Sequence, residues 1–324
     1  MILTRTHLIF LLTLSLFSFA QAQISCDYCS KEISKTYVIV DGKTYHENCY
    51  RDNLQLRCDY CGRLIEGQHN VIDDKHYHPA CYLEHIVKKC DICGEALIGK
   101  YYTDYWGNSY HVRHSAEMHE CHSCGRLICE ELTEGGYSLD DGRYICSLCN
   151  ESAVTDEYSI ESSLHYVRGL LSYQGIDGLP DEIPISLVDK QTLRNISKSY
   201  SDAMQGFTDH SAQSRNGEII SQSNHIYILS DLPLIMFRAV LAHELMHIYL
   251  FEHGLDPPSH IREGFCNLGS EHVYQNDNSK YSKFRLANMA ANNDPDYGVG
   301  YRKMSKLLYE RGWDYLLQNI RSIR

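Results

Sequence analysis

His243-Glu244-Leu245-Met246-His247 places two imidazoles four residues apart with a carboxylate beside the first. On a helix of about 3.6 residues per turn, such positions share a face, so His243 and His247 offer two nitrogens to one metal ion. A hydrolytic zinc site keeps three protein ligands and a water whose pKa falls to about 7, and a neighbouring carboxylate takes its proton. Glu244 is placed for that role. A five-residue pattern of common residue types also arises by chance on surface helices, so its setting decides. Leu234 to Phe251 is almost wholly apolar, with Arg238 the one other charge, which describes a buried helix. Buried imidazoles and carboxylates need partners, and a metal ion satisfies several at once.

The chain after this helix limits the choice of third ligand. Gly254 reads as the helix C-cap, Pro257-Pro258 as a rigid turn, and Ser259 as the N-cap of a second helix that carries Glu263 back toward the first. Glu263 is therefore the preferred third ligand, with His253, His260 and Glu271 as alternatives. The metzincin pattern fails, because Leu250 stands where its glycine is required. Cys266 reads as a small buried hydrophobe. An oxyanion donor is also needed, and Tyr274, His272, Tyr297 and Tyr301 are candidates among which the sequence does not choose.

Upstream lies a second kind of metal chemistry. Of fourteen cysteines, all but Cys266 fall between residues 26 and 149, in a fourfold repeat opening with Cys-x-x-Cys at Cys26, Cys58, Cys90 and Cys121. The expected ligand sets are Cys26, Cys29, His46 and Cys49; Cys58, Cys61, His78 and Cys81; Cys90, Cys93, His111 and His114; and Cys121, Cys124, Cys146 and Cys149. Turn residues Asp41-Gly42, Asp73-Asp74, Trp106-Gly107 and Asp141-Gly142 precede each closing pair, so each unit reads as a hairpin delivering ligands. Disulfides are the competing reading in an oxidising compartment, but they have no use for histidine at one register in three successive units. Cys129, His119 and His122 fall outside the register and read as packing or surface residues.

Met1 to Ala22 has Arg5, an apolar run from Leu8 to Phe19, and Ala20-Gln21-Ala22, and so reads as a secretory signal peptide cleaved near Ala22. A secreted or periplasmic protein is expected, with no membrane span in the mature chain, since later apolar runs look too short. The formal net charge of -12 argues against nucleic acid or anionic membrane as partner. The 43% hydrophobic fraction is enough for a sizeable core.

Between the two metal-bearing regions, Glu151 to Gly175 reads as a helix packing through Tyr158, His165, Tyr166, Leu170 and Leu171. Ile183 to Val188 and Ile226 to Leu229 read as strands, the second an edge strand to which a peptide can add. Ser211 to Asn224 reads as a loop, and Lys280 to Ala291 and Tyr301 to Ile323 as closing helices.

The two halves together resemble the LIM-domain-linked zinc peptidases of the "DA-one" family, whose plant members restrict organ growth. The likeness rests on Cys81-x8-Cys90-Asp91-Ile92-Cys93, the Tyr137 to Cys149 segment, Glu151-Ser152-Ala153-Val154, Ala242 to His247, Glu263-Gly264-Phe265-Cys266, and Asp294-Pro295 with Tyr297 to Arg302. The resemblance implies a gluzincin-type peptidase in which His243, His247 and Glu263 hold zinc and Glu244 is the catalytic carboxylate. Eight residues separate Cys49 from Cys58 where a standard LIM domain leaves two, so the array is LIM-like. In the plant members ubiquitin-interacting motifs precede the LIM region, whereas here the first knuckle follows the expected signal peptide, so ubiquitin-linked regulation is not among the expectations.

The expected architecture is α+β: residues 1–22 a signal peptide, 23–150 four knuckles (about 26–49, 58–81, 90–114 and 121–149), and 151–324 a mainly helical metallopeptidase domain with a small sheet. One catalytic and about four structural zinc ions are expected, with a protein or peptide substrate and a protein partner for the knuckles. The alternative is a LIM-like binding adaptor with a vestigial peptidase domain.

Overall fold

A computed structural model describes residues 24–324 apart from 198–199, 216–217 and the side chains of 212–221. The signal-peptide reading of residues 1–22 lies outside the described residues. The chain divides into two compact units, one ending at Lys88 and the other spanning Lys89–Arg324.

The first unit holds two knuckles, each with an antiparallel hairpin: β1 (Tyr37–Val40) with β2 (Lys43–His46), and β3 (Asn70–Ile72) with β4 (Lys75–Tyr77). Asp41 and Gly42, and likewise Asp73 and Asp74, take positive φ, as a two-residue hairpin turn requires. The Asp27 and Asp59 side chains accept from the backbone N–H of Thr44 and His76, tying each Cys-x-x-Cys turn to its hairpin. Apolar burial is slight, centred on Cys58, Ile65 and Tyr77.

The second unit begins with the other two knuckles, built on β5 (Tyr101–Thr103) with β6 (Ser109–His111) and β7 (Gly136–Ser138) with β8 (Tyr144–Cys146). Helix α1 (Glu157–Ser172) follows, capped by Asp156 accepting from Ser159 N–H. It packs through Val167 and Leu171 together with Leu164, Tyr166 and Leu170, while Tyr158 and His165 face solvent, against expectation. Strand β9 (Ile185–Val188) and helix α2 (Lys190–Ile196) lead to a long hairpin of β10 (Gly206–Arg215) and β11 (Glu218–Leu229). This hairpin replaces the loop expected over Ser211 to Asn224, because cross-strand pairs such as Ser211 with Ser223 and His210 with Asn224 satisfy its polar groups.

The sheet order is β10-β11-β9, with β9 parallel and β10 antiparallel to β11. Ile226 to Leu229 is therefore central. The edge position expected for it belongs to β10, since Ile226 to Leu229 pairs on both sides.

Helix α3 (Leu234–Glu252) is the centre of the core, with Met236, Phe237, Leu241, Leu245 and Ile248 buried. By length and a mean hydropathy of 1.4 it is apolar enough to cross a membrane, a correction to the reading that no later run is, and 67% of it is buried inside the domain. It packs along α4 (Ser259–Asp277), where Gly269 allows close approach: a Cβ there would stand 2.9 Å from Ala242 O. Pro258 rather than Ser259 is the N-cap of α4, and the Ser259 hydroxyl instead donates to Asp296 at 2.8 Å. Helix α5 (Lys280–Ala291) fits its expected span. The last helix, α6 (Tyr301–Asn319), is broken at Gly312, whose φ of 78° is left-handed.

Candidate metal centres

Each of the four expected quartets is assembled, with ligand atoms within 4.8 Å of one another. Cys29 Sγ lies 3.5 Å and Cys49 Sγ 3.7 Å from His46 Nδ1, and Cys61 Sγ lies 3.4 Å from His78 Nδ1. In the fourth knuckle Cys124 and Cys146 sulfurs are 3.7 Å apart. Tetrahedral zinc bonds of about 2.3 Å to sulfur and 2.0 Å to nitrogen place ligands about 3.5 to 3.8 Å apart, so the donor sets fit. The histidines are oriented alike: Nε2 of His46, His78 and His111 faces the carbonyls of Glu32, Leu64 and Ala96 at 3.1, 2.9 and 3.3 Å. Donation there leaves the Nδ1 lone pair aimed at the sulfurs. Both nitrogens of His114 are buried without a hydrogen-bond partner, as befits a ligand.

The fifth site lies where α3 meets α4. His243 and His247 turn Nε2 toward each other at 3.2 Å, and Glu263 Oε2 stands 3.4 Å from both. Ligands about 2.0 Å from a tetrahedral zinc are about 3.3 Å apart, which this triangle matches. Glu263 Oε2 is buried and has no hydrogen-bond partner besides these ionic neighbours. Burial by itself would raise the Glu263 pKa, but the two imidazoles outweigh it and hold the carboxyl well below the usual range. Cys266 also brings its sulfur within 4.8 Å of both imidazoles. Burial, then Glu263 and Glu244, push its thiol well up, so the ionised Glu263 carboxylate is the better donor.

His253 and Glu271 are engaged elsewhere. His253 Nδ1 meets Tyr249 O at 2.9 Å, and Glu271 accepts from Gln275 and Ser305. With His260 they are absent from the lining of the cavity, about 340 Å³, that surrounds the triangle.

Three neighbours were not legible beforehand. Asn267, four residues after Glu263 on α4, donates through Nδ2 to Tyr297 O at 2.9 Å. Its Oδ1 must then accept from His243 Nδ1 at 3.0 Å, which frees His243 Nε2 for a metal. Helical spacing from Glu263 was the signal for Asn267. Thr208 on β10 donates to Glu244 Oε2 at 2.7 Å, and Gly206 lies against Glu244 Oε1. Nothing in the polar stretch around them pointed to contact with α3. Of the oxyanion candidates, Tyr297 and Tyr274 line the cavity, whereas Tyr301 sits with Glu271 and His272 with Gln174. Burial, followed by Glu263 and Glu244, pushes the Tyr297 phenol up, so it stays a donor.

Tandem Cys/His knuckles ahead of a mixed α/β, largely helical region define a LIM-like protein with several sites able to bind zinc. Residues 174–274 are similar to the family model described as "DA1-like: Protein DA1", a span that holds His243, Glu244, His247 and Glu263. "Protein DA1-related 2" of Arabidopsis thaliana is 27% identical over 204 residues, covering 51% of this chain and 36% of its own length. "Protein DA1-related 7" of the same plant is 24% identical over 278 residues, 67% of this chain and 49% of its own. "LIM domain-containing protein HDR3" of Oryza sativa subsp. japonica is 26% identical over 204 residues, 51% and 38% respectively. The chain thus spans half or less of the length of these relatives.

Proposed function

We propose that the chain is an exported, gluzincin-type zinc peptidase whose knuckles recruit a protein substrate or partner. The observation that carries the reading is the triangle of His243 Nε2, His247 Nε2 and the otherwise orphaned Glu263 Oε2, with sides of 3.2, 3.4 and 3.4 Å. Zinc bound there would lower the pKa of a coordinated water and polarise a peptide carbonyl.

The chain's own residues supply the rest. Thr208 fixes one oxygen of Glu244 and leaves the other, beside Gly206, to accept the proton of the attacking water and pass it to the leaving amine. Asn267 holds the His243 ring in its ligand orientation. Tyr297, stacked on His243 with ring centroids 6.1 Å apart, is the donor assigned to the developing oxyanion. Strand β10 pairs on one side only among the described residues, and its Gly206, Phe207 and Thr208 line the cavity, so an extended peptide can add to its edge. Export is inferred from the charge, apolar run and small residues of Met1 to Ala22.

The test is Glu244→Gln in the full chain. Peptide cleavage should fall by at least about a hundredfold while bound zinc is unchanged. Cleavage at the wild-type rate would remove the assignment of Glu244.

A further inference from the structure

We propose that Arg285, with Tyr274 and Gln205, forms a subsite for a carboxylate of the substrate at one end of the active-site cavity. The inference rests on the peptidase reading and specifies what that site accepts.

Arg285 projects from α5 into the cavity lining, with Nη2 3.4 Å from Gln205 Oε1 and Tyr274 close by in the same lining. Its side chain is half-buried, and its Nε is fully buried without a hydrogen-bond partner. No Asp or Glu lies within ion-pair distance among the described residues. Tyr274 and Tyr281 beside it are neutral, since burial pushes both phenols up. The other cation lining the cavity, Arg262, is compensated by Asp256 at 3.1 Å and Glu263 at 3.5 Å.

Arg285 also borders a second cavity beside Cys121 and His122, with Cys149 of the same knuckle nearby. As a thiolate Cys149 would put negative charge near Arg285, but no knuckle sulfur accepts a hydrogen bond from it among the described residues.

A guanidinium withdrawn from water without a carboxylate is costly, and its planar fork of donors matches a carboxylate in two-point contact. In a chain of net charge -12 such a local cation also selects: an acidic peptide is repelled by the surface and favoured only where Arg285 can reach it. The carboxylate can belong to an Asp or Glu side chain or to the C-terminus of a peptide.

Internally quenched peptides in two matched series separate these sources, one exchanging Glu for Gln at each position and the other a free C-terminal acid for its amide. We expect the wild-type chain to favour one acidic member by about tenfold to a hundredfold in kcat/KM. The ratio should fall toward one in Arg285→Gln and drop partway in Arg285→Lys. Tyr274→Phe, which removes only a hydroxyl, should lower the ratio too and covers the case in which Arg285→Gln fails to fold. Equal rates within both series for the wild-type chain overturn the subsite and leave the peptidase reading standing.

If the wild-type chain cleaves no peptide, the peptidase reading falls and the subsite is judged by calorimetric binding of glutarate against glutaramide. Glutarate binding that Arg285→Gln or Tyr274→Phe weakens upholds it. Absent or unaltered glutarate binding overturns it.

Discussion

Replacing Gly206 by alanine tests the chemistry of the site without touching a proposed metal ligand. A Cβ at this position would lie 2.6 Å from Glu244 Oε1 and 2.6 Å from Val240 Cγ1. Ordinary van der Waals contact begins at 3.4 Å, so the carboxylate must retreat by about 0.8 Å. Both obstructing atoms are the ends of side chains, and Gly206 does not take the left-handed backbone, so the fold can absorb the change. The Thr208 hydrogen bond to Oε2 resists it, and Glu244 must shift away from the position in which it meets the water. A misplacement of about 1 Å costs about a hundredfold in rate, so kcat should fall by about that factor while KM and zinc content hold. Steady-state cleavage of a quenched peptide, with metal analysis and thermal melting alongside, gives the answer. Gly169→Ala, where a Cβ meets nothing within 4 Å, is the control. If Gly206→Ala turns over like the wild type with its fold intact, the assignment of Glu244 Oε1 as the proton acceptor is refuted.

Arg143→Ala should destabilise the second unit by about 3 to 5 kcal/mol in urea unfolding, because it strands the buried Asp141 carboxylate 2.8 Å away and removes donors to Ser230. A cost below about 1 kcal/mol would show that the pair is not buried as described. Dialysis against a strong chelator at pH 7 should abolish amide-exchange protection over residues 24–88, whose apolar core is little more than Cys58, Ile65 and Tyr77, while α3 and α4 stay protected. Persistent protection over 24–88 would mean that metal does not hold those knuckles. In Cys26, Cys58 and Cys90 desolvation raises the thiol pKa, but backbone N–H groups of the knuckle turn outweigh it and bring each down to about 6 from 9.0. A lowered pKa stabilises the folded form fully above about pH 9 and not at all once the pH falls below about 6, so a colorimetric chelator should capture knuckle zinc increasingly as the pH drops from 7 to 5. Capture that does not change across that range would contradict the thiolate assignment.

The ligand quartets were legible because a knuckle is local: its four donors lie within a span of 24 to 29 residues, and turn chemistry fixes their approach. His243 and His247 were legible for the same reason, one helical turn apart in an apolar run. Glu263 required only the turn between two consecutive helices. Gly206, Thr208 and Arg285 come from elements distant in sequence, and only the sheet and the packing of α5 bring them to the cavity. The polar hairpin from Gly206 to Leu229 hid its strands because much of it lacks an apolar face, so alternation, the usual signal, is missing. The C-cap of α3 is His253, one residue before the expected Gly254, which follows it in the left-handed backbone, whereas Gly312, inside a long apolar-patterned run, gave no sign that it breaks α6.

Helix α5 is also bound to the third and fourth knuckles, through a face adjoining the one that reaches the cavity. Trp106 of the third knuckle rests on Phe284 and Tyr281, with ring centroids 5.3 and 6.3 Å away, and donates to Cys124 O at 3.0 Å. Tyr281 donates to Ser123 O at 3.0 Å, Lys280 to Trp106 O at 2.6 Å, and Arg126 caps the indole at 3.5 Å. A chain trimmed to begin at residue 151 would bare this aromatic face to water and become sticky. The smallest piece that can be exchanged between proteins, by an engineer or by recombination in a genome, therefore starts near Lys89 and takes two knuckles with it.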